Sequence, residues 1–241
     1  MWGNLKNGIS GSQYLCGLEI PRVYLATKEE NMKIALINEN SQAAKNSMIE
    51  SCLRTAAEPL GHEVFNYGMY AADDACQLTY VKAGLLAAIL LNAKAVDFVV
   101  TGCGTGEGAM LASNIYPNVL CGHIEDIEDA YMFARINDGN AIALPFAKKF
   151  GWGGELTLTW MFEKLLGTEF GGGYPPERVV PEQANKKILD SVKAITHKDM
   201  LTILKEIDQD FLKETISGEK FAELFYPNCQ VPEIAEYLKA L

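Results

Sequence analysis

Between Met32 and about residue 180, short apolar runs alternate with longer amphipathic stretches, and this pattern constrains the fold more than any other feature. Short continuous apolar runs are typical of buried strands, and the stretches between them have the helical period. Strands that alternate with helices form βαβ units with right-handed crossovers. The sequence therefore predicts an α/β fold with a doubly wound, parallel, five-stranded Rossmann-like sheet, whose strands cover residues 33–37, 63–66, 96–100, 118–121 and 142–144.

Helices are predicted between these strands. Ser41 is expected to cap a helix that ends near Leu60, with Gly61 as its stop. The remaining helices of this region are predicted over residues 78–92, 108–113, 124–135, 145–150 and 155–166. Residues 181–241 contain no strand run, so we expect a helical C-terminal extension that packs on the domain or on a partner subunit.

The first 31 residues differ from the rest of the chain. They are polar and glycine-bearing, whereas Met32 is followed directly by the first predicted strand. We expect residues 1–31 to be a poorly ordered N-terminal extension, and the alternative is a hairpin around residues 14–25. The predicted domains are thus this extension, an α/β domain over residues 32–180, and the helical extension over 181–241.

Composition excludes several classes of function. The chain of 241 residues has a formal net charge of −10, which disfavours nucleic acids and anionic membranes as partners. No apolar run approaches the roughly 20 residues needed to span a bilayer. Six cysteines are present without a C-x-x-C pair, which argues against a zinc ribbon and favours reduced thiols. We therefore expect a cytoplasmic protein.

A glycine-rich turn, Thr101-Gly-Cys-Gly-Thr-Gly-Glu-Gly108, follows the third predicted strand. In open α/β sheets, ligands bind beyond the carboxyl ends of the strands. Glycines let the backbone approach an anion, and the first turn of the next helix offers free N–H groups. The same groups stabilise an oxyanion or a thiolate, so Cys103 is the leading candidate for a reactive residue.

Other interpretations of this turn remain open. Gly104-x-Gly106-x-x-Ala109 matches a dinucleotide fingerprint, although it follows the third strand and not the first. No Gly-Lys-Ser/Thr follows, which excludes a Walker A loop. A cysteine hydrolase needs a nearby base, and only His123 lies close to the carboxyl end of a predicted strand. The bland alternative is a tight turn in which Cys103 merely packs.

Four stretches resemble the type B ribose-5-phosphate isomerases and galactose-6-phosphate isomerase subunits. They are the first strand and turn, the Cys-Gly-Thr-Gly loop, an Asn-Asp-x-Asn segment, and a closing Gly-Gly segment with Arg178, at residues 32–40, 99–108, 137–140 and 170–179. The resemblance spans residues 32–180. It implies an aldose–ketose isomerase that uses no metal or cofactor and binds a small sugar derivative. It also implies a homodimer or homotetramer with its sites at subunit interfaces.

The resemblance also implies roles for individual residues. Cys103 would be the general base, Thr105 and the amides of the glycine loop would hold the enediolate oxygens, and Glu107 is a candidate second acid or base. The implied catalytic set is Cys103, Thr105 and Glu107, and the substrate-binding set is Glu39, Asn40, Tyr80, Gly104, Gly106, Gly108, Asn114, Asn137 and Arg178.

The chain departs from this family pattern where a sugar phosphate would be bound. Glu39-Asn40 replace Asp-His, Ile136 replaces the ring-opening histidine, and Tyr174-Pro175 replace Arg-His, which leaves Arg178. A phosphate needs several charge-assisted donors, whereas one arginine suits a carboxylate. The pattern resembles ketol-isomerases that convert 4-deoxy-L-threo-5-hexosulose uronate to 3-deoxy-D-glycero-2,5-hexodiulosonate. A sugar-phosphate isomerase and a non-catalytic sugar-binding subunit are the alternatives.

Overall fold

The computed structural model describes residues 14–15, 18–19 and 31–241. Tyr14–Leu15 pairs with Leu18–Glu19 as two short antiparallel strands. The predicted disorder of residues 1–31 concerns residues that lie almost entirely outside the described ranges, so it stays a prediction. Residues 31–241 form one compact unit.

Five parallel strands form the central sheet, in agreement with the predicted fold class. They are β1 (Lys33–Asn38), β2 (Glu63–Asn66), β3 (Phe98–Cys103), β4 (Cys121–His123) and β5 (Ala141–Pro145), in the spatial order β2-β1-β3-β5-β4. The register places Asn38 opposite Gly102 and Cys103 opposite Pro145, so the carboxyl ends of the three central strands lie together. All six residues of β3 are buried, as expected for the middle of a sheet covered on both faces.

Helices cover both faces of this sheet. They are α1 (Asn46–Ala57), α2 (Tyr80–Asn92), α3 (Glu107–Asn114), α4 (Ile127–Met132), α5 (Gly154–Leu166) and α6 (Val179–Thr196). Four short helices follow: α7 (Met200–Glu206), α8 (Gln209–Ile216), α9 (Phe221–Phe225) and α10 (Pro232–Lys239). Helix α4 continues as a π-helix over Phe133–Asn137, and 3-10 turns cover Asn40–Lys45, Glu58–Leu60 and Pro176–Arg178.

Two predicted local features are wrong. Ser41 does not cap the first helix, because the Glu39 carboxylate accepts the Ser41 N–H and thereby caps the 3-10 turn before α1. The helix predicted over residues 145–150 is a series of turns that includes Lys149 at φ 58°. A residue in this left-handed conformation cannot continue a right-handed helix.

Two apolar cores lie on opposite faces of the sheet. One core packs α1 and α5 against Ile34, Leu36 and Val100, and the other packs α2 against Ala35, Ile37 and Val99. Nine residues of α2 are buried, including Leu85 and Leu91. A helix that is apolar all round must be covered all round. The C-terminal helices provide that cover through residues of the same core, which include Met200, Leu204, Leu212, Phe221, Phe225, Ile234 and Leu238.

Helix α6 contrasts with its neighbours, since none of its residues is buried. Its apolar side chains are exposed, among them Val180, Ile188, Leu189, Val192 and Ile195. The Lys193 ammonium ties α6 to the segment between α3 and β4. It donates to the carbonyl oxygens of Asn114 and Val119, at 2.9 and 2.6 Å. Within the described residues, none of the helices is long and apolar enough to cross a membrane.

Candidate active site

Cys103 ends the central strand β3, and α3 begins four residues later. Gly106 is the N-cap of α3, and its backbone N–H donates to the Cys103 Sγ atom over 3.2 Å. The first amides of a helix lack intrahelical acceptors and carry partial positive charge. Cys103 is 8% exposed, so its surroundings exclude most water. The Gly106 N–H therefore points at a sulfur atom that is almost fully enclosed by the protein.

Glycine is required at two positions of this loop. Gly106 has φ +82°, a left-handed conformation, and a Cβ atom there would lie 2.6 Å from His123 Nε2. A Cβ atom at Gly102 would lie 2.4 Å from the Leu144 carbonyl oxygen, so β3 and β5 could not approach as they do. The loop therefore depends on residues without side chains to place the thiol.

The end of β1 contributes a second wall of the site. Glu39 is buried, and its carboxylate accepts hydrogen bonds from the backbone and hydroxyl of Ser41. The Asn40 N–H donates to the Leu78 carbonyl oxygen at 2.7 Å, which ties this turn to the start of α2. Tyr80 opens α2 and lies against the glycine loop, because a Cβ atom at Gly108 would be 3.3 Å from its ring.

Several of the predicted site side chains are free to bind a ligand. Within the part of the chain that the structure describes, the side chains of Asn40, Tyr80, Thr105 and Glu107 make no hydrogen bond. Tyr80 is 47% exposed at the surface of the edge. Polar groups without protein partners beside a thiol are what a small polar substrate would require.

Charged residues from β4 and β5 flank the cysteine loop. His123 Nε2 lies 2.8 Å from the Thr105 carbonyl oxygen and 3.9 Å from the Glu125 carboxylate. Lys148 donates to Glu125 at 2.7 Å, which lowers the pKa of Glu125 and raises the pKa of Lys148. The charge of the Glu107 carboxylate adds a smaller contribution that also favours the charged form of Lys148.

Lys45 was not predicted as a site residue. Its ammonium donates to the Phe146 carbonyl oxygen and to Gln42 Oε1, and it lies 4.6 Å from the centre of the Phe150 ring. Burial lowers the pKa of Lys45. The sequence carries no strong signal for it, because its place beside the loop depends on the turn that follows β1 and on the turns after β5.

Three predicted substrate-binding residues lie at the edge formed by the amino ends of the strands, opposite the edge that holds Cys103. Asn137 precedes β5, Arg178 follows a loop that packs on the π-helix, and Asn114 ends α3. The two edges are about 15 Å apart, since β3 rises about 3.3 Å per residue. One chain therefore brings Glu39, Asn40 and Tyr80 to Cys103 but does not bring these three residues there.

The three residues differ in availability. The Asn114 amide is fully engaged, because it donates to the Cys121 carbonyl oxygen and accepts the Cys121 N–H. Asn137 lines a cavity of about 620 Å³ together with His123, Lys193 and His197. Arg178 is 61% exposed and lies 3.8 Å from Glu182, a weak surface contact. The substrate-binding roles of all three residues stay predictions.

Arg135 organises this edge and was missed from the sequence. Its buried guanidinium donates to the carbonyl oxygens of Gly172 and Gly173 and pairs with Glu169 at 3.1 Å. A Cβ atom at Gly172 would lie 2.1 Å from Arg135 Nη1. The closing glycine segment is therefore shaped to receive this arginine, a signal that the glycines alone do not reveal.

The site is a cysteine-bearing glycine loop at the carboxyl ends of a doubly wound parallel sheet, flanked by carboxylate, hydroxyl and amide groups without hydrogen-bond partners among the described residues. Comparison with known proteins identifies the class as an isomerase of small sugars. A family profile described as "Ribose/Galactose Isomerase" matches residues 34–181, and one described as "Ribose-5-phosphate isomerase" matches residues 195–241. The chain belongs to the ribose/galactose isomerase family.

Solved structures include two similar chains. A 4-deoxy-L-threo-5-hexosulose-uronate ketol-isomerase complexed with a tartrate is 61% identical, with a TM-score of 0.85 over 87% of this chain and 98% of that chain. A ribose-5-phosphate isomerase from Vibrio parahaemolyticus is 52% identical, with a TM-score of 0.84 over 87% and 99%. A type B enzyme from Trypanosoma cruzi, at 20% identity and a TM-score of 0.56 over 67% and 98%, shares the fold. No protein with a curated description matches the chain.

Proposed function

We propose that this protein is a ketol-isomerase that converts 4-deoxy-L-threo-5-hexosulose uronate to 3-deoxy-D-glycero-2,5-hexodiulosonate, without a metal or an organic cofactor. The observation that carries the proposal is the Gly106 N–H bonded to Cys103 Sγ at the N-terminus of α3. A thiol held there is suited to lose its proton, act as a base and regain the proton. We also propose that the protein acts in the reducing cytoplasm, where its described cysteines, which are free thiols, would stay reduced.

The reaction moves hydrogen within the substrate and needs no external oxidant. The Cys103 thiolate removes the proton from the carbon next to the aldehyde, and the electron pair forms the carbon–carbon double bond of an enediolate. The thiol then returns that proton to the former aldehyde carbon, while one proton passes between the two oxygens. Thr105 and the loop amides bind these oxygens, and Glu107 carries the oxygen-bound proton.

The charge of the substrate is inferred from two cations, Arg178 and Lys148. Arg178 is exposed and makes only a weak contact with Glu182, so its planar fork can bind one carboxylate in a bidentate manner. Lys148 is already paired with Glu125. The 61% identical relative, named as a uronate ketol-isomerase, supports a carboxylate substrate over a phosphate.

We propose that the complete site is shared between subunits of a homodimer or homotetramer. In one chain, Arg178 and Asn137 lie at the sheet edge opposite Cys103, so a partner would have to supply them. The exposed apolar residues of α6 and the outer face of α3, where Leu111 and Ile115 are 62% and 60% exposed, offer a surface for that partner. Burial of these residues in a subunit interface would bring the Cys103 edge of one chain next to the Arg178 edge of its partner.

A sugar-phosphate isomerase is the second candidate. It is favoured by the 52% identical relative, which is named a ribose-5-phosphate isomerase. Lys45 and Lys149 would then join Arg178 as phosphate ligands. Inorganic phosphate should compete with the substrate in this case and should have little effect on a carboxylate substrate.

Turnover of the two substrates tests the proposal directly. Purified protein is incubated with the unsaturated-uronate monosaccharide released by a polysaccharide lyase, and formation of the diulosonate is followed by NMR. The same protein is assayed with ribose 5-phosphate, with and without 10-fold excess phosphate. Rapid turnover of ribose 5-phosphate together with no turnover of the uronate would overturn the uronate assignment.

A further inference from the structure

One peptide group joins His123 to Cys103. The Thr105 carbonyl oxygen lies 2.8 Å from His123 Nε2, and the N–H of the same peptide group, on Gly106, donates to Cys103 Sγ at 3.2 Å. A carbonyl oxygen can only accept, so Nε2 carries the hydrogen in this contact. The C=O and N–H of a trans peptide point in opposite directions. The imidazole and the thiol therefore contact opposite sides of one rigid, planar peptide group.

The packing of the ring fixes this arrangement. A Cβ atom at Gly106 would lie 2.6 Å from Nε2 and 2.7 Å from Cδ2 of His123, so the ring fills the space beside the loop backbone. The His123 side chain is only 20% exposed. The ring therefore has little freedom to leave the Thr105 carbonyl oxygen.

We propose that His123 is a positioning residue that holds the Thr105–Gly106 peptide so that its N–H stabilises the Cys103 thiolate. The inference rests on the proposed role of Cys103 as the base. A hydrogen bond to the carbonyl polarises the peptide and strengthens its N–H as a donor. The donor is then aimed at the sulfur before charge develops there, which avoids reorganisation during the reaction.

Charged groups on or next to five elements surround this hydrogen-bonded unit. Glu107 begins α3, Glu125 follows β4, and Lys148 and Lys149 follow β5. On the other side of the ring, Asp129 of α4 and Lys193 and His197 near the end of α6 line the same cavity as His123. The proposed contact needs only the hydrogen on Nε2, so it operates with a neutral or a protonated ring, and the neighbours adjust its strength.

The test measures the thiol itself and does not depend on the substrate. Cys103 alkylation by iodoacetamide is followed by peptide mass spectrometry across pH for the wild type, His123→Ala, His123→Asn and His123→Gln. The Gln amide can reach the Thr105 carbonyl oxygen and the shorter Asn amide cannot. We expect the pH of half-maximal alkylation to rise by about one unit in the Ala and Asn variants, and to stay near the wild-type value in the Gln variant.

Activity provides the second measurement. kcat should fall about tenfold in the Ala and Asn variants, with KM changed less than about threefold, and Gln should restore most of the loss. Cys229 in the same samples serves as an internal control whose alkylation profile should not move. Thermal melts confirm that each variant is folded.

Each opposing result overturns the proposal. An unchanged Cys103 profile in His123→Ala means that the ring does not act on the thiol. A Gln variant as impaired as the Ala variant means that the imidazole does more than donate one hydrogen bond. If no sugar is turned over at all, the proposed function fails, and the thiol profile still decides whether His123 tunes Cys103.

Discussion

Arg135 Nε donates to the Gly173 carbonyl oxygen at 3.0 Å, which joins the π-helix to the closing glycine segment. We expect Arg135→Met to lower the free energy of unfolding by about 2–4 kcal/mol, because it leaves two loop carbonyls without a donor. Lys198→Met is the control. Lys198 pairs with Glu206 and both side chains are more than half exposed, so we expect a loss of about 1 kcal/mol or less. Urea unfolding measures both, and equal losses would contradict the structural role of Arg135.

Cys103→Ala should lower kcat by about 10²–10⁴, since it removes the proposed base. Cys229→Ala is the control, because Cys229 donates to the Val231 carbonyl oxygen in the C-terminal region, far along the chain from the glycine loop. Its kcat should stay within about twofold of the wild type. Steady-state assays with the uronate measure both values. A less than tenfold effect of Cys103→Ala would rule the thiol out as the base.

Arg178→Met should raise KM for the uronate by about 10- to 100-fold, with a much smaller change in kcat. A hydrogen-bonded charge pair contributes about 1.5–3 kcal/mol, and about 1.4 kcal/mol is a tenfold change in affinity. Arg178→Lys should restore only part of the affinity, because an ammonium lacks the planar fork. Lys187→Met, on the same exposed stretch of chain, is expected to leave KM unchanged. An unchanged KM in Arg178→Met would show that another group binds the carboxylate.

The proposed interface predicts that two substitutions on α6 separate the subunits. Ile188→Asp combined with Ile195→Asp should give monomers without activity, whereas Leu60→Asp, at another exposed apolar residue, should leave the oligomer intact.

The shared site also predicts complementation between two impaired variants when the substrate concentration is well below the wild-type KM. Mixing refolded Cys103→Ala with Arg178→Ala should then recover roughly a quarter of the wild-type activity, because half of the dimers are mixed and each of these has one intact site. Light scattering and activity of the mixtures measure these outcomes. No recovery in mixed dimers would place the whole site within one chain.

His62 predicts an acid-sensitive contribution to stability. Burial lowers the pKa of His62, whose Nδ1 accepts the Met32 N–H at 3.2 Å. The unfolded chain therefore binds this proton more readily than the folded chain. The contribution is fully present above the ordinary histidine pKa of about 6.5. It is lost as pH falls from there through the lowered pKa of the folded chain. His62→Asn keeps an acceptor and removes the titration, so its Tm should fall less than that of the wild type between pH 7.5 and 5.5. Parallel slopes would contradict the prediction.

The sheet and the cysteine loop could be predicted from the sequence for a simple physical reason. Strands buried on both faces are continuous apolar runs. The end of β3 needs glycine at Gly102, and the turn after it needs glycine at Gly106, because backbone and ring atoms fill the space around them. Both signals are local. The free side chains of Asn40 and Thr105 follow from the same local placement at the ends of strands.

The contacts that were not predicted depend on strand order. His123 reaches Thr105 only because β5 lies between β3 and β4, and periodicity does not give that order. The same holds for the position of Asn137 at the far edge. Glu39 as a cap was missed because a carboxylate and a hydroxyl lie next to each other in this turn, and either of them can accept a backbone N–H.

The uninterrupted apolar surface of α2 ties the C-terminal helices to the rest of the protein during evolution. Residues such as Leu85 and Leu91 are tolerated because Leu204, Leu212 and Phe225 belong to the same core. A protein that lost the C-terminal segment would expose the apolar surface of α2 to water and would tend to aggregate. The segment and α2 must therefore be inherited together, and relatives that lack one should carry polar substitutions along the outer side of the other.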